Sequence, residues 1–174
     1  MHVHKILDAV RNWPQVAYIE NEKNNFRKSS KALVDLVEKN FAPTQKSLSH
    51  TQRFSFVAFT NEQTCLRVGI DAEETSRKVL PSVKRKILKD LDCPESAELE
   101  TLYIWTAKEA AFKTFSFLGA TVIGETFLKK IEGDKFEIFY VDSKQKKHSA
   151  HGIWIELCDH VVAVCALQMT GFTV

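Results

Sequence analysis

The chain has 174 residues, 44% of them hydrophobic and 26% charged, which is enough for one domain, or one domain with a small lobe, to bury a core without staples. Its net charge of +2 excludes a protein built to coat nucleic acid, and no apolar run approaches the ~20 residues that span a bilayer. The N-terminal MHVHKILDAV lacks a long apolar core followed by a cleavage site, so the cytoplasm is the expected compartment, and Cys65, Cys93, Cys158 and Cys165, with no CxxC pair, read as small core thiols.

In chain order, SSKALVDLVEKNF predicts a helix capped by Ser29 or Ser30, with Leu33, Leu36, Val37 and Phe41 at helical spacing and an end before Pro43. SLSHTQRFSFVAFT alternates, with Phe54, Phe56 and Ala58 on one side and Ser55, Val57 and Phe59 on the other, and reads as a strand buried on both faces. CLRVGID reads as a second strand antiparallel to it, in which Gly69 lets another group approach the backbone. Pro81 marks a break or a first turn in the helical SRKVLPSVKRKILKDL, and a long helix follows from about Glu98 to Leu118, stopped by Gly119. TFLKKIEGDKFEIFYVD reads as a hairpin turning at Glu132 to Asp134, SKQKKHSAHG as a polar loop, and IWIEL and VVAVCAL as two strands joined through Cys158 to His160. This order, without regular βαβ alternation, predicts an α+β fold.

On a helical wheel Ile104, Ala107, Ala111, Phe115 and Leu118 share the core face. Trp105, Glu109, Phe112, Lys113 and Ser116 lie beside it, where Glu109 and Lys113 form either an exposed ion pair one turn apart or part of a site. Lys108 falls next to the core stripe, from which its stem could snorkel to a site at the edge. In GIDAE, Asp71 and Glu73 point the same way from a strand end, and paired carboxylates need a cation, a proton or a strong donor between them. Ser49 and His50 open the other strand. Carboxylates, lysine and histidine together suit a divalent metal and a phosphorylated substrate. The run Arg77 to Lys89 holds six basic residues and no acid, either a solvated helix face or a surface for an acidic partner.

VGIDAEE and IWTAKEAAFK resemble the two signature motifs of the 4'-phosphopantetheinyl transferases, GxDxE on a strand and W(S/T)xKE(A/S)xxK on a helix. SLSHT looks like the SH motif of the surfactin-synthetase-type branch. The likeness covers about Phe41 to Leu167 with the motifs in the family's order. It implies an antiparallel sheet packed with helices in two related lobes, here a shortened first lobe (1–65) and a second (66–174) that carries both signatures. A monomer with its site between the lobes is expected, with self-association as the alternative.

The resemblance implies magnesium held by Asp71 and Glu109, with Glu73 bound directly or through water, and coenzyme A as the donor substrate. Lys113 would hold its phosphates, Ser49 and His50 would meet the ribose phosphate, and Lys108 would help to neutralise the polyanion. The GKP-like motif before SH is absent, with Lys46 as a substitute for its lysine, and Lys28 and Lys31 stand nearest to the basic residues that hold the nucleotide in larger relatives. The implied acceptor is a serine of an apo acyl, peptidyl or aryl carrier protein, as used in fatty acid, polyketide or nonribosomal peptide biosynthesis. The products are holo carrier and adenosine 3',5'-bisphosphate. Glu109 is the expected base, unless water on the metal serves. Arg77, Lys78, Lys84, Arg85, Lys86 and Lys89 form the expected docking surface. The alternatives are a noncatalytic accessory that binds coenzyme A or the carrier, and a hydrolase of another diphosphate.

Overall fold

The computed structural model describes residues 4–7, 13–22 and 25–168, which form an α+β structure of two antiparallel sheets with a helix against the outer face of each. The first sheet has the order β1 (His4–Leu7), β2 (Gln15–Glu20), β4 (Phe54–Thr60), β3 (Gln45–His50) and carries α1 (Phe26–Phe41). The second has the order β5 (Cys65–Glu74), β9 (His160–Gln168), β8 (Lys147–Leu157), β7 (Lys135–Val141), β6 (Thr126–Glu132). It carries α3 (Thr101–Phe115), and α2 (Pro81–Ile87) precedes that helix. Among the described residues no helix is long and apolar enough to cross a membrane.

FSFVAFT is buried at every position because both faces of β4 are covered. Val57 and Phe59 pack under Leu33 and Val37 of α1, while Phe54, Phe56 and Ala58 meet Val68, Ile70, Ala72, Val162 and Val164 of the second sheet. The layers are therefore helix, sheet, sheet, helix. Pro81 stands in the first turn of α2, Gly119 ends the α3 region at φ 102°, and Gly133 turns the β6–β7 hairpin at φ 62°. All three lie where the sequence puts them.

Four expectations are corrected. Helix α1 begins at Phe26, where Asn25 Oδ1 accepts the Lys28 N–H at 3.3 Å. Ser29 and Ser30 instead tie the helix down, Ser29 Oγ taking the Glu22 N–H at 3.0 Å and Ser30 Oγ lying 2.8 Å from Ser55 Oγ. SLSHTQRFSFVAFT is a hairpin of two strands, β3 and β4, closed where the Thr51 N–H donates to the Phe54 carbonyl. Strand β5 pairs with β9 rather than with β4, so consecutive strands lie in different sheets. Most of SKQKKHSAHG is strand β8, and the loop shrinks to residues around Asp142, whose Oδ1 accepts the N–H groups of Lys144 and Lys146.

The two sheets meet along the edge strands β3 and β5. Ser47 and Ser49 face β5, and their hydroxyls accept the N–H groups of Ile70 at 3.2 Å and Ala72 at 3.3 Å. A second tie comes from fully buried His160 on β9. Its Nδ1 lies 2.6 Å from the Cys158 carbonyl, which only accepts, so Nδ1 donates there, and Nε2 lies 2.9 Å from the Thr51 hydroxyl. Thr51 belongs to the turn of the other sheet, so the imidazole pins the β3–β4 hairpin to β9.

Candidate functional site

Strand β5 alternates its duties. Val68, Ile70 and Ala72 enter the core between the sheets, which turns Gly69, Asp71 and Glu73 toward α3. Gly69 sets the distance between them: a Cβ there would lie 2.0 Å from the Ala110 carbonyl oxygen and 2.5 Å from Thr114 Oγ1. Only a glycine lets the helix settle this low, and that descent brings its polar flank to the acids of the strand.

Lys113 Nζ donates to Asp71 Oδ1 at 2.9 Å and to the Ile70 carbonyl at 2.8 Å. Ser49 Oγ donates to the same Asp71 Oδ1 at 3.1 Å. Asp71 is buried, and its Oδ2 has no hydrogen-bond partner among the described residues. Glu73 pairs with Arg77, whose guanidinium lies 5.7 Å from the Trp105 ring centroid. Burial, and then the negative charge of Asp71, push the Glu109 carboxyl above the ordinary glutamate range, with Glu73 adding to the effect and Lys113 and Arg77 opposing it. The Glu109–Lys113 pair along the helix is not formed, because Lys113 reaches across to the strand instead.

Among the described residues no three histidine, cysteine, aspartate or glutamate side chains stand ready-grouped to hold a metal ion. Asp71, Glu73 and Glu109 are close enough to act on one another, but two of them are already engaged by cations. The donor set nonetheless suits magnesium: hard carboxylate oxygens, one of them buried and unsatisfied. The acids fit the ion as ligands rather than as a finished cage.

The other expected site residues are dispersed. Lys108 does not snorkel to the acids; it is fully buried, donating to Asp92 Oδ2 at 2.7 Å and the Thr126 carbonyl at 2.8 Å. Asp92 also accepts the N–H groups of Lys89 and Leu128, so Lys108 neutralises the centre of a structural knot. Ser49 and His50, neighbours in a strand, face opposite ways and do not act as a pair. The His50 ring stacks on Phe26 with centroids 4.4 Å apart, at a groove of about 470 Å³ that Arg27, Lys31 and Leu48 also line. Lys46 shares that face of β3 and pairs with Glu38, while Lys28 pairs with Glu22. Lys84 donates to the carbonyls of Ala97 and Leu99, whereas Lys78, Arg85, Lys86 and Lys89 are exposed.

Two features escaped the sequence. Arg77 is the partner of Glu73, a relation for which its place in a basic run gave no sign. The buried role of His160 depends on a contact between sheets that no local pattern encodes. All four cysteines are free, but Cys158 is exposed at the β8–β9 turn and not a core residue, because the tight turn holds it at φ 50°. A separate cavity of about 580 Å³, lined by Glu100, Tyr103, Trp154 and Glu156, shares no residue with the acid cluster. No protein-family model and no curated protein matches this chain.

Proposed function

We propose that this protein is a 4'-phosphopantetheinyl transferase, moving the phosphopantetheine arm of coenzyme A to a serine of an apo carrier protein and releasing adenosine 3',5'-bisphosphate. The observation that carries this reading is the meeting of the two signature segments: Lys113 of the helix stands 2.9 Å from Asp71 of the strand, beside Glu109, with one Asp71 oxygen buried and unpartnered. The two units of sheet and helix, the first the smaller, support the finer assignment of the family's two-lobed fold.

Asp71, Glu73 and Glu109 would hold a magnesium ion, whose chemistry there is to stabilise negative charge on the diphosphate oxygens. Lys113, which donates to the Ile70 carbonyl as well as to Asp71, adds a positive charge at the same place. The phosphorus is attacked by the carrier's serine oxygen, and the bond to the adenosine bisphosphate oxygen breaks. Glu109 is the carboxylate that takes the serine proton. His50, Arg27 and Lys31 offer the groove on the α1 side to the ribose phosphate, and the exposed Arg85, Lys86 and Lys89 offer a basic surface to an acidic carrier.

The test is mass spectrometry of apo carriers incubated with the protein, coenzyme A and magnesium. Phosphopantetheine should appear on the carrier serine, and Glu109→Gln should abolish it. A panel of acyl, peptidyl and aryl carriers that all stay unmodified overturns the reading. Coenzyme A consumed without any carrier would replace transfer by hydrolysis.

A further inference from the structure

We infer that Arg77 and Lys113 are resident counter-ions of the acid cluster, so that a divalent metal binds the ligand-free protein weakly and tightens once a polyphosphate draws the two cations onto itself. This rests on reading Asp71, Glu73 and Glu109 as the metal-binding acids. The structure supplies the reason. Lys113 is bound to Asp71 and Arg77 to Glu73, and among the described residues Glu109 has no ion-pair partner. Three carboxylates against two cations leave one net negative charge, so a bare metal ion meets a nearly neutralised cluster and must displace a guanidinium and an ammonium to reach two of its ligands. Among the described residues the three acids do not by themselves form a ready-grouped metal site.

Both cations lie nearer to solvent than the acids they hold. The Arg77 side chain is 48% exposed and that of Lys113 is 29% exposed, against 17% and 10% for the acids they hold. The cations thus form the outer layer of the cluster and the acids the inner one. A diphosphate arriving from solvent meets the cations first, and two guanidinium or ammonium partners are what its oxygens recruit. Removal of their charge from the acids leaves Asp71, Glu73 and Glu109 as an uncompensated group, with the unsatisfied Asp71 Oδ2 among its oxygens. The anion therefore builds the metal site, and binding of the two is cooperative and ordered, anion before metal.

The experiment measures Mn²⁺ binding by electron paramagnetic resonance, with and without saturating coenzyme A, in the wild type, Arg77→Met and Asp71→Asn. Asp71→Asn with coenzyme A also gives the blank for metal held by coenzyme A itself. Arg77→Met should tighten Mn²⁺ in the ligand-free protein by about fivefold, the scale of a surface pair released. Coenzyme A should tighten it in the wild type by roughly tenfold or more, and by linkage Mn²⁺ should tighten coenzyme A by the same factor. If Arg77→Met proves unstable, Arg77→Gln, which also removes the charge, takes its place. Metal binding that Asp71→Asn abolishes, but that removal of the Arg77 charge does not strengthen, overturns the counter-ion inference and spares the metal reading. Metal binding indifferent to Asp71→Asn overturns both.

Discussion

Asp71 and Lys113, forty-two residues apart in the chain, are joined at 2.9 Å because Gly69, two residues before the acid, has no side chain to hold the helix away. The acid and the base are thus placed by a residue that does no chemistry.

Gly69→Ala should therefore be severe. Its methyl group would overlap the Ala110 carbonyl at 2.0 Å, backbone that cannot swing aside, so α3 must lift from β5. The expected loss is about 3 kcal/mol in urea unfolding, at the upper end for overpacking, with transfer activity lost in the fraction that still folds. A variant that melts with the wild type and turns over normally would show that helix and strand are not in contact here.

Glu109→Gln should keep the fold and lose the activity. The ionised carboxylate is disfavoured in the native state by burial and by Asp71, so the native protein binds this proton more tightly than the unfolded chain does. The wild type should accordingly lose stability relative to Glu109→Gln as pH rises from the ordinary glutamate value of 4.5 through the raised native value, and the difference should then level off. Paired denaturation curves across that range check it. A constant difference would mean that the carboxylate is not desolvated.

Lys108→Met should act on stability alone. Lys108 and Asp92 are buried to 0% and 2% side-chain exposure, and removal of one partner strands the other's charge, at a cost of about 3–5 kcal/mol. Lys108→Met/Asp92→Asn should recover part of that loss. The KM for coenzyme A of the folded fraction should not move. A large rise in KM with unchanged stability would return Lys108 to the phosphate site.

The basic run should divide by function. Arg85→Glu/Lys86→Glu should raise the carrier KM several-fold without affecting coenzyme A binding, since both side chains are exposed on α2. Lys84→Glu should instead lower the melting temperature, because its ammonium holds the carbonyls of Ala97 and Leu99. Equal effects from all three would argue for a diffuse electrostatic field over a docking face.

The sequence made the second sheet more legible than the first for a physical reason. Gly69, Asp71, Glu73, Glu109 and Lys113 obey strand and helix periods, so their common orientation follows from spacing alone. Periodicity places the Lys108 side chain on a face but does not name its partner, and Asp92 lies in a loop. The SH motif sets Ser49 and His50 side by side in sequence, but a strand sends neighbours to opposite faces. The hairpin between them and Phe54 was missed because Thr51, Gln52 and Arg53 carry neither glycine nor proline to announce a turn. The 4'-phosphopantetheinyl transferase reading itself rests on motif order and on the meeting of two motifs.

Ser47 and Ser49 occupy the outward N–H groups of Ile70 and Ala72, and Lys113 occupies the Ile70 carbonyl between them. Side chains here take the place of a neighbouring backbone, so the stretch from Ile70 to Ala72 is closed to a foreign chain that would zip onto it. A substitution such as Lys113→Ala would then uncover an aggregation-prone border as well as disarm the chemistry, and the solubility of such variants should be read before their turnover.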